Sequence, residues 1–574
     1  MLMNQPKDEP SASFAVNAPT GRQSIRRDAI AGFLVFLVAL PLCLAIARAS
    51  GFPPIAGVWT AVIGGIVCSF LGSSQLTIKG PAAGMIVIVL GAVTDLGGEF
   101  GTGLTDTEKL FLGYKLALGV GVVAAAVQIL FGILRIGKWV DFFPLTPVHG
   151  MLAAIGLIII AKQAYEVIGV SAAKGAEPLE LLTDFPHALA QTNPGIALIG
   201  IVSLVILFGF PYVRGERLKA IPAQFVVLVV ALCMGIFMDL DHWHSYRLPI
   251  GLPGGMAGKE FELGPRFLVD IPSVLQDPLK AFVFPDFRAI GTQTGIQYII
   301  LFSLVGSLES LLSARAIELI DPWKRKTNYN RELVAVGAAN LLASMIGGLP
   351  MIAEIVRSKA NVDSGGRTKN ANLFHGLFLL AFVLFIPGLI QKIPLAALGA
   401  MLVYTGFRLA NPNEFVRVFK LGGEQFAVFI ITIVATLATD LLIGVGIGIA
   451  SKIAIHLWNG CPIQSIFKAD VQGIKQDEQH MILVVNHAAV FSNWLGLSRI
   501  IQNNINQYES VVVDLSQTRL VDHTVMDKLH HFVDDAKRNG RELRVIGLER
   551  HSSLSNHPLS ARKGQPKQSV ASGA

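Results

Sequence analysis

Between about residue 28 and residue 458 the chain is built of long apolar runs separated by short polar breaks. The runs lie near 28–48, 53–71, 112–133, 145–168, 194–211, 218–238, 294–316, 330–347, 371–389, 393–408, 425–441 and 442–457. A hydrocarbon core about 30 Å thick takes about 20 residues of helix, so runs of this length read as membrane-crossing helices. Two further apolar pieces are shorter and open on Gly and Pro: QLTIKGPAAGMIVIVL, helical over 80–92, and SMIGGLPMIAEIVRS, helical over 350–362. Neither is long enough to cross alone. The total is about fourteen elements with a short broken one third in each half, the sequence pattern of an inverted-repeat transporter whose site lies at the membrane midplane.

From about 470 the pattern shortens. MILVVNHAAVF (481–491), SVVVDLSQTRLVD (510–522) and LRVIGL (543–548) read as strands, with helical stretches such as NWLGLSRIIQNNINQ and DKLHHFVDDAKRNG between them. Strands alternating with helices predict a small α/β domain.

Composition agrees with a membrane setting: 52% of the 574 residues are hydrophobic and 15% charged, against about 25% charged in a soluble domain. The net charge of +7 is assigned to loops on one side of a membrane rather than to a nucleic-acid surface. Cys43, Cys68 and Cys233 fall inside apolar runs and Cys461 stands alone, so neither a disulfide framework nor a metal-ligand spacing is present. The first 25 residues are polar and lack a signal peptide's apolar core.

The basic residues supply an independent topology. With Arg22, Arg26 and Arg27 on the cytoplasmic side, fourteen crossings place RIGK (135–138), RGERLK (214–219), DPWKRKTNYNR (321–331), GGRTK (365–369) and RVFK (417–420) on that side too. The opposite loops, TDLGGEFGTGLTDTE (94–108) and AKGAEPLELLTD (173–184), are acidic. The mixed, Pro- and Gly-rich segment 239–290 reads as an outer loop without a domain of its own. Both termini are then cytoplasmic.

A helix N-terminus presents unpaired N–H groups and about half a positive charge, and so binds anions without a full cation. Two such ends meeting near Pro81–Gly84 and Pro350–Ala353 would hold a small oxyanion, with small residues letting the backbone come close.

AGFLVFLVALPLCLAIARASG (31–51), GPAAGM (80–85), SLVGSLESLLSARAI (303–317), GGLPMIAEIVRSKAN (347–361) with its NVDSGGRT continuation, and VVVDLSQTRLVDHT in the tail together resemble the sulfate permease family of inorganic anion transporters. The resemblance covers nearly the whole chain. It implies a polytopic α-helical membrane protein of fourteen segments in a 7+7 inverted repeat, with core and gate subdomains, followed by a cytoplasmic STAS domain. Members are commonly homodimers that move sulfate, bicarbonate, chloride or dicarboxylates. The implied division is a cytoplasmic segment 1–27, a transport domain 28–458, a STAS domain 470–552 and a disordered tail 553–574.

By this resemblance the anion lies among Gly80, Pro81, Ala82, Ala83, Met351, Ile352 and Ala353, with Ala39–Cys43 and Glu309–Ser313 lining the other side. Arg357, read as about two turns into the second short helix, matches a basic residue the family keeps near the anion. A charge at this depth is costly and usually functional. It either adds positive potential or pairs with Glu354 three residues earlier. Glu309 matches a carboxylate that holds sodium in bicarbonate-carrying members, with Ser313 supplying the hydroxyl, and carries a proton in proton-linked members. Apart from a sodium ion no cofactor is implied.

Two positions depart from the pattern. Glu354 stands where sodium-binding members keep a small residue, and would neutralise Arg357, weaken anion binding or add a second titratable group. PLCLAIA (41–47) replaces a Gln-containing segment, which favours bicarbonate over sulfate. In the tail, His523 and Thr524 follow Asp522 where related domains carry a phosphorylatable Ser, so dimer contacts, trafficking or partner binding are the expected roles.

No P-loop, HExxH or nucleophile elbow occurs in the chain, which argues against an ATP-driven pump or hydrolase. The reading is secondary transport in a bacterial inner membrane. Its rivals are a proton-coupled sulfate or dicarboxylate carrier, and an anion channel or sensor signalling through the STAS domain. The topology predicts that a cysteine placed in the 173–184 loop reacts with an impermeant thiol reagent in intact cells and that one near Lys324 does not. Labelling in the reverse pattern contradicts it.

Overall fold

The computed structural model describes residues 21–137, 144–172, 178–213, 221–247, 260–277, 281–439, 441–538 and 540–564. RGERLK, most of the N-terminal segment, the start of the 173–184 loop and the residues after 564 lie outside this set. Helices α1 (Gly21–Ala49) and α2 (Pro54–Leu71) lead into a short strand β1 (Ile78–Pro81), a 3-10 turn (Ala83–Met85) and α3 (Ile86–Phe100). Then follow α4 (Asp106–Ile133), α5 (Leu145–Val167), α6 (Pro178–Leu189), α7 (Pro194–Gly209) and α8 (Ala223–Phe237), with a hairpin β2 (His244–Arg247) and β3 (Glu260–Leu263) closing the first half.

The second half repeats the order: α9 (Gln293–Ile320), α10 (Tyr329–Met345), strand β4 (Met351–Glu354), α11 (Ile355–Asp363) and α12 (Asn370–Phe385). After a one-turn helix at Pro387–Ile390 come α13 (Leu395–Leu409), α14 (Pro412–Leu421), α15 (Gly423–Ala438) and α16 (Leu441–Trp458). Among the described residues the long apolar runs are helical, that at 371–389 with a break at Ile386. Side-chain caps start several of them: Thr105 and Glu108 form a capping box for α4, Thr292 caps α9 and Asn328 caps α10.

Several expectations are corrected. The first broken piece does not stop near residue 92: helical structure runs over Ala83–Phe100, 18 residues, long and apolar enough to cross. Val93, Leu96 and Gly97 remain buried while Thr94, Asp95 and Glu99 face outward, so the TDLGGEF stretch is an amphipathic helix end and not a loop. Helix α11 begins later than expected, because Met351–Glu354 is extended, which puts Arg357 in the first turn and not two turns in. Part of the 173–184 loop belongs to α6, and RVFK belongs to α14. In the tail, residues 553–564 are not disordered: β11 (Arg562–Gly564) joins the sheet.

The structure divides into two compact units: Ile158–Gly406 with the chain up to Lys138, and Phe407 onward with residues 139–157. This is not the expected division at 458, since the last two membrane helices group with the tail. In the first unit, β1 and β4 pair antiparallel, Ile78 opposite Glu354 and Pro81 opposite Met351. Irregular backbone at membrane depth is tolerated only when protein satisfies it. Here the Ile78 N–H donates to Ser358 Oγ at 2.8 Å, the Lys79 N–H to Asn372 Oδ1 at 3.0 Å and the Met351 N–H to Asn340 Oδ1 at 2.7 Å.

In the second unit, α17 (Ile463–Phe467) is followed by β5 (Asp470–Lys475), β6 (His480–Ala489), α18 (Trp494–Gln507), β7 (Ser510–Asp514), β8 (Thr518–Val521), α19 (His523–Arg538), β9 (Glu542–Ile546), β10 (His551–Ser553) and β11. The run 510–522 is therefore two strands joined by a turn and not one. The sheet order is β10-β11-β8-β6-β7-β9, with β5 also on β6, and the β6–β7, β6–β8 and β7–β9 pairs are parallel. Leu483, Val485, Val511 and Val513 pack with Trp494, Leu497, Ile501, Val525 and Leu529 from the two helices to form its core.

The residue before the first Gly-Pro break is anchored by an ion pair that no local pattern announces. Lys79 Nζ pairs with the Glu332 carboxylate, both side chains 2% exposed or less, and Thr77 Oγ1 accepts from the same ammonium at 2.7 Å. The Ser73 and Ser74 N–H groups complete the carboxylate at 3.0 and 3.1 Å. Removing one partner strands the other, at a cost of about 3–5 kcal/mol. Lys79→Met alone should lower the thermal unfolding midpoint of the detergent-purified protein more than Lys79→Met with Glu332→Gln. Additive losses would show that the pair does not act as a unit.

Candidate functional site

The two broken helices approach each other through backbone. The Ala82 N–H donates to the Pro350 carbonyl at 3.3 Å and the Ala353 N–H to Ser310 Oγ at 3.4 Å. Asn340 holds the strand from the other side: its Nδ2 donates to the Met351 carbonyl at 3.2 Å and to Gln128 Oε1 at 2.9 Å. Gly80, Pro81, Ala82, Met351, Ile352 and Ala353 are all buried. The chain thus places two helix starts side by side, at Ala83 and Ile355, with small side chains between them.

Both acids and the arginine reach this point. Glu309, on α9, is 6% exposed, and its carboxylate lies so close over Gly84 that a methyl group there would collide with it. Its Oε1 has no hydrogen-bond partner. Gly80 has the same relation to Arg357: a Cβ would strike the guanidinium Nη1. These glycines are required by close approach, not by an unusual φ. Ser313 is buried one turn beyond Glu309 on the same helix.

Arg357 is 1% exposed. Its Nη1 donates to Cys43 Sγ at 3.4 Å, while its Nε and Nη2 lack partners. Cys43 of α1 thus faces the guanidinium from the first helix. The expected helical pairing of Glu354 with Arg357 does not form: the Glu354 Oε1 is unpartnered, as are two of the three guanidinium nitrogens. Glu354 is the N-cap residue, in extended conformation at φ −90° and ψ 115°, so it does not share a helical face with Arg357. Its carboxylate instead faces the Ala83 N–H, at the start of the opposite broken helix. A side-chain carboxylate thus already sits where the physics of helix ends places an anion.

Pattern reasoning misses the residues that hold the backbone. Ser310, Asn340, Ser358 and Asn372 each accept from a strand N–H. The signal is in the sequence: a lone amide inside an apolar membrane run is costly unless it satisfies something. Among the described residues no group of three or more His, Cys, Asp or Glu side chains could hold a metal ion.

The model of the sulfate permease family matches residues 25–432. The bicarbonate transporter BicA of Synechocystis sp. (strain ATCC 27184 / PCC 6803 / Kazusa) is 25% identical over 548 residues, covering 92% of this chain and 88% of that protein. YvdB of Bacillus subtilis (strain 168), a candidate sulfate transporter, is 23% identical over 532 residues, 92% of each chain. Among solved structures, the transmembrane domain of a cyanobacterial BicA superposes with a TM-score of 0.59 at 25% identity, covering 75% of this chain and 99% of that domain. Murine Slc26a9 in its inward-facing state gives 0.63 at 15% identity over 92% of this chain and 86% of its own, a likeness of fold. With its 7+7 inverted repeat and its terminal STAS-type sheet domain, the chain belongs to the sulfate permease family.

Proposed function

We propose that the protein is a secondary transporter of a small monovalent oxyanion, bicarbonate in preference to sulfate or a dicarboxylate, coupled to sodium or protons. It works as a homodimer in a bacterial plasma membrane with both termini cytoplasmic. The observation that carries the substrate reading is the buried Glu354 carboxylate facing the Ala83 N–H, near the unpartnered Nε and Nη2 of Arg357. An entering anion gains Arg357 and the two helix starts but meets the charge of Glu354. At about 4 Å and an effective dielectric of about 20, each further negative charge on the substrate costs roughly 4 kcal/mol against that carboxylate. A divalent anion bears this twice and gains twice from Arg357, but it leaves water at a much higher cost, since the desolvation penalty grows with the square of the charge. The sequence PLCLAIA, which lacks a polar residue for a larger oxyanion, points the same way.

Glu309 is the coupling residue. Its orphaned Oε1 over Gly84 gives a sodium ion a hard oxygen ligand, with Ser313 beside it, or gives a proton a carboxylate to ride. Relatives with bicarbonate and sulfate names both occur, so the ranking rests on the charge of the site.

Proteoliposome uptake of labelled bicarbonate, sulfate and a dicarboxylate under an imposed sodium or proton gradient tests this reading. Saturable bicarbonate uptake that follows one gradient supports it, and gradient-independent flux would favour a channel. Arg357→Ala should weaken anion binding about tenfold or more, the worth of a charged hydrogen bond. Glu309→Gln should sever uptake from the gradient while the protein stays folded. Glu354→Gln should tighten anion binding and raise sulfate relative to bicarbonate. Loss of gradient dependence in Glu354→Gln and its retention in Glu309→Gln would reverse the two roles.

A further inference from the structure

The tail domain meets the last membrane helix through a buried polar contact that the anion site does not use. Lys452 and His456 lie one turn apart on α16 and are 1% and 4% exposed. They face Asp522, the residue that leads into α19, itself fully buried. Asp522 Oδ1 accepts from the Val525 N–H at 2.7 Å and Oδ2 from the Phe491 N–H at 3.0 Å. Lys452 Nζ and His456 Nε2 each stand 3.6 Å from that same Oδ2, and Lys452 donates to Thr524 Oγ1 at 2.9 Å. Ile453 of α16 packs on Cys461, Ile466, Val490 and Leu520, so apolar side chains join the same two elements. Ser555 Oγ adds a second tether, to the Lys420 and Leu421 carbonyls at 3.2 and 2.9 Å.

The start of α19 is thus filled from within the chain. Thr524 has no exposed surface, and the cation that Asp522 attracts is Lys452. A carboxylate and an ammonium this deeply buried are tolerable only as a pair, because removing either leaves an uncompensated charge. We propose that Lys452 and Asp522 form a latch that fixes the tail domain on α16, and that α16 is held in its working position only while the latch is closed. A signal passing between the tail and the membrane helices then acts by opening this pair, not by modifying Thr524.

The test uses the full-length protein in lipid nanodiscs, comparing Lys452→Met, Asp522→Asn and Lys452→Arg with the unaltered chain by hydrogen exchange. With the latch lost, the amides of 491–493, 524–526 and the last turn of α16 should exchange about tenfold faster or more, while Lys452→Arg stays near the original rate. Exchange decides the latch whatever anion the protein carries. In liposomes, the maximal uptake rate of the anion the unaltered protein carries best should fall several-fold in Lys452→Met with its half-saturating concentration unchanged. Unaltered exchange, failure of Lys452→Arg to preserve it, or faster exchange with full uptake rate would each overturn the proposal. Should Lys452→Met not fold, Asp522→Asn makes the same comparison at the last turn of α16; it keeps an acceptor for the Val525 N–H but not for that of Phe491, so exchange at 491–493 is not counted for that variant.

Discussion

The pairing of β1 with β4 is the constraint on which the rest of the transport domain depends. Two helices are interrupted inside the protein, and each interruption frees N–H and C=O groups that no water can satisfy at that depth. The strands satisfy one another from Ile78–Glu354 to Pro81–Met351, and neighbouring helices supply the remainder through Ser310, Asn340, Ser358 and Asn372. That scaffold fixes where α11 and the turn before α3 begin. It therefore fixes where their positive ends point.

Within this frame the charges divide into those that hold the backbone and those that keep unused valence. Lys79 and Glu332 are occupied with each other, with hydrogen bonds from Ser73 and Ser74 to Glu332, and with one from Lys79 to Thr77. Arg357, Glu309 and Glu354 are also buried but keep unpartnered atoms. Such atoms destabilise a fold, and a site that exchanges ligands is where they have a use. Glu354 faces the opposite helix start, so in the proposed function substrate and protein compete for one place. This competition, with the higher cost of taking a divalent anion out of water, is the proposed basis for ranking monovalent over divalent anions.

Much of this is legible in the sequence. The long apolar runs, the two Gly-Pro breaks and the grouping of Glu309, Arg357 and Glu354 follow from hydropathy, from the cost of charge in a membrane and from a family resemblance. The one-turn details are not legible, because they depend on tertiary pairing. MIAE has no local reason to be extended. It is a strand because β1 lies opposite, and this moves Arg357 into the first turn and turns Glu354 from a helical neighbour into a residue facing the start of the other helix. The end of α3 misleads for a similar reason: TDLGGEF looks like a loop until α4 covers its Leu96–Gly97 face. Asp522 is visible as an odd motif, but its partner Lys452 lies in an apolar run far back in the chain, beyond the reach of any local pattern.

The central claim is that Glu354 holds the anion's place until the anion arrives. Structures of the full-length protein in lipid, determined with and without saturating bicarbonate, test it most directly. The account predicts the Glu354 carboxylate turned toward the Ala83 N–H in the absence of anion, and bicarbonate between that N–H and Arg357 in its presence, with Glu354 turned away. A Glu354 carboxylate that keeps the Ala83 N–H while bicarbonate binds elsewhere would contradict it.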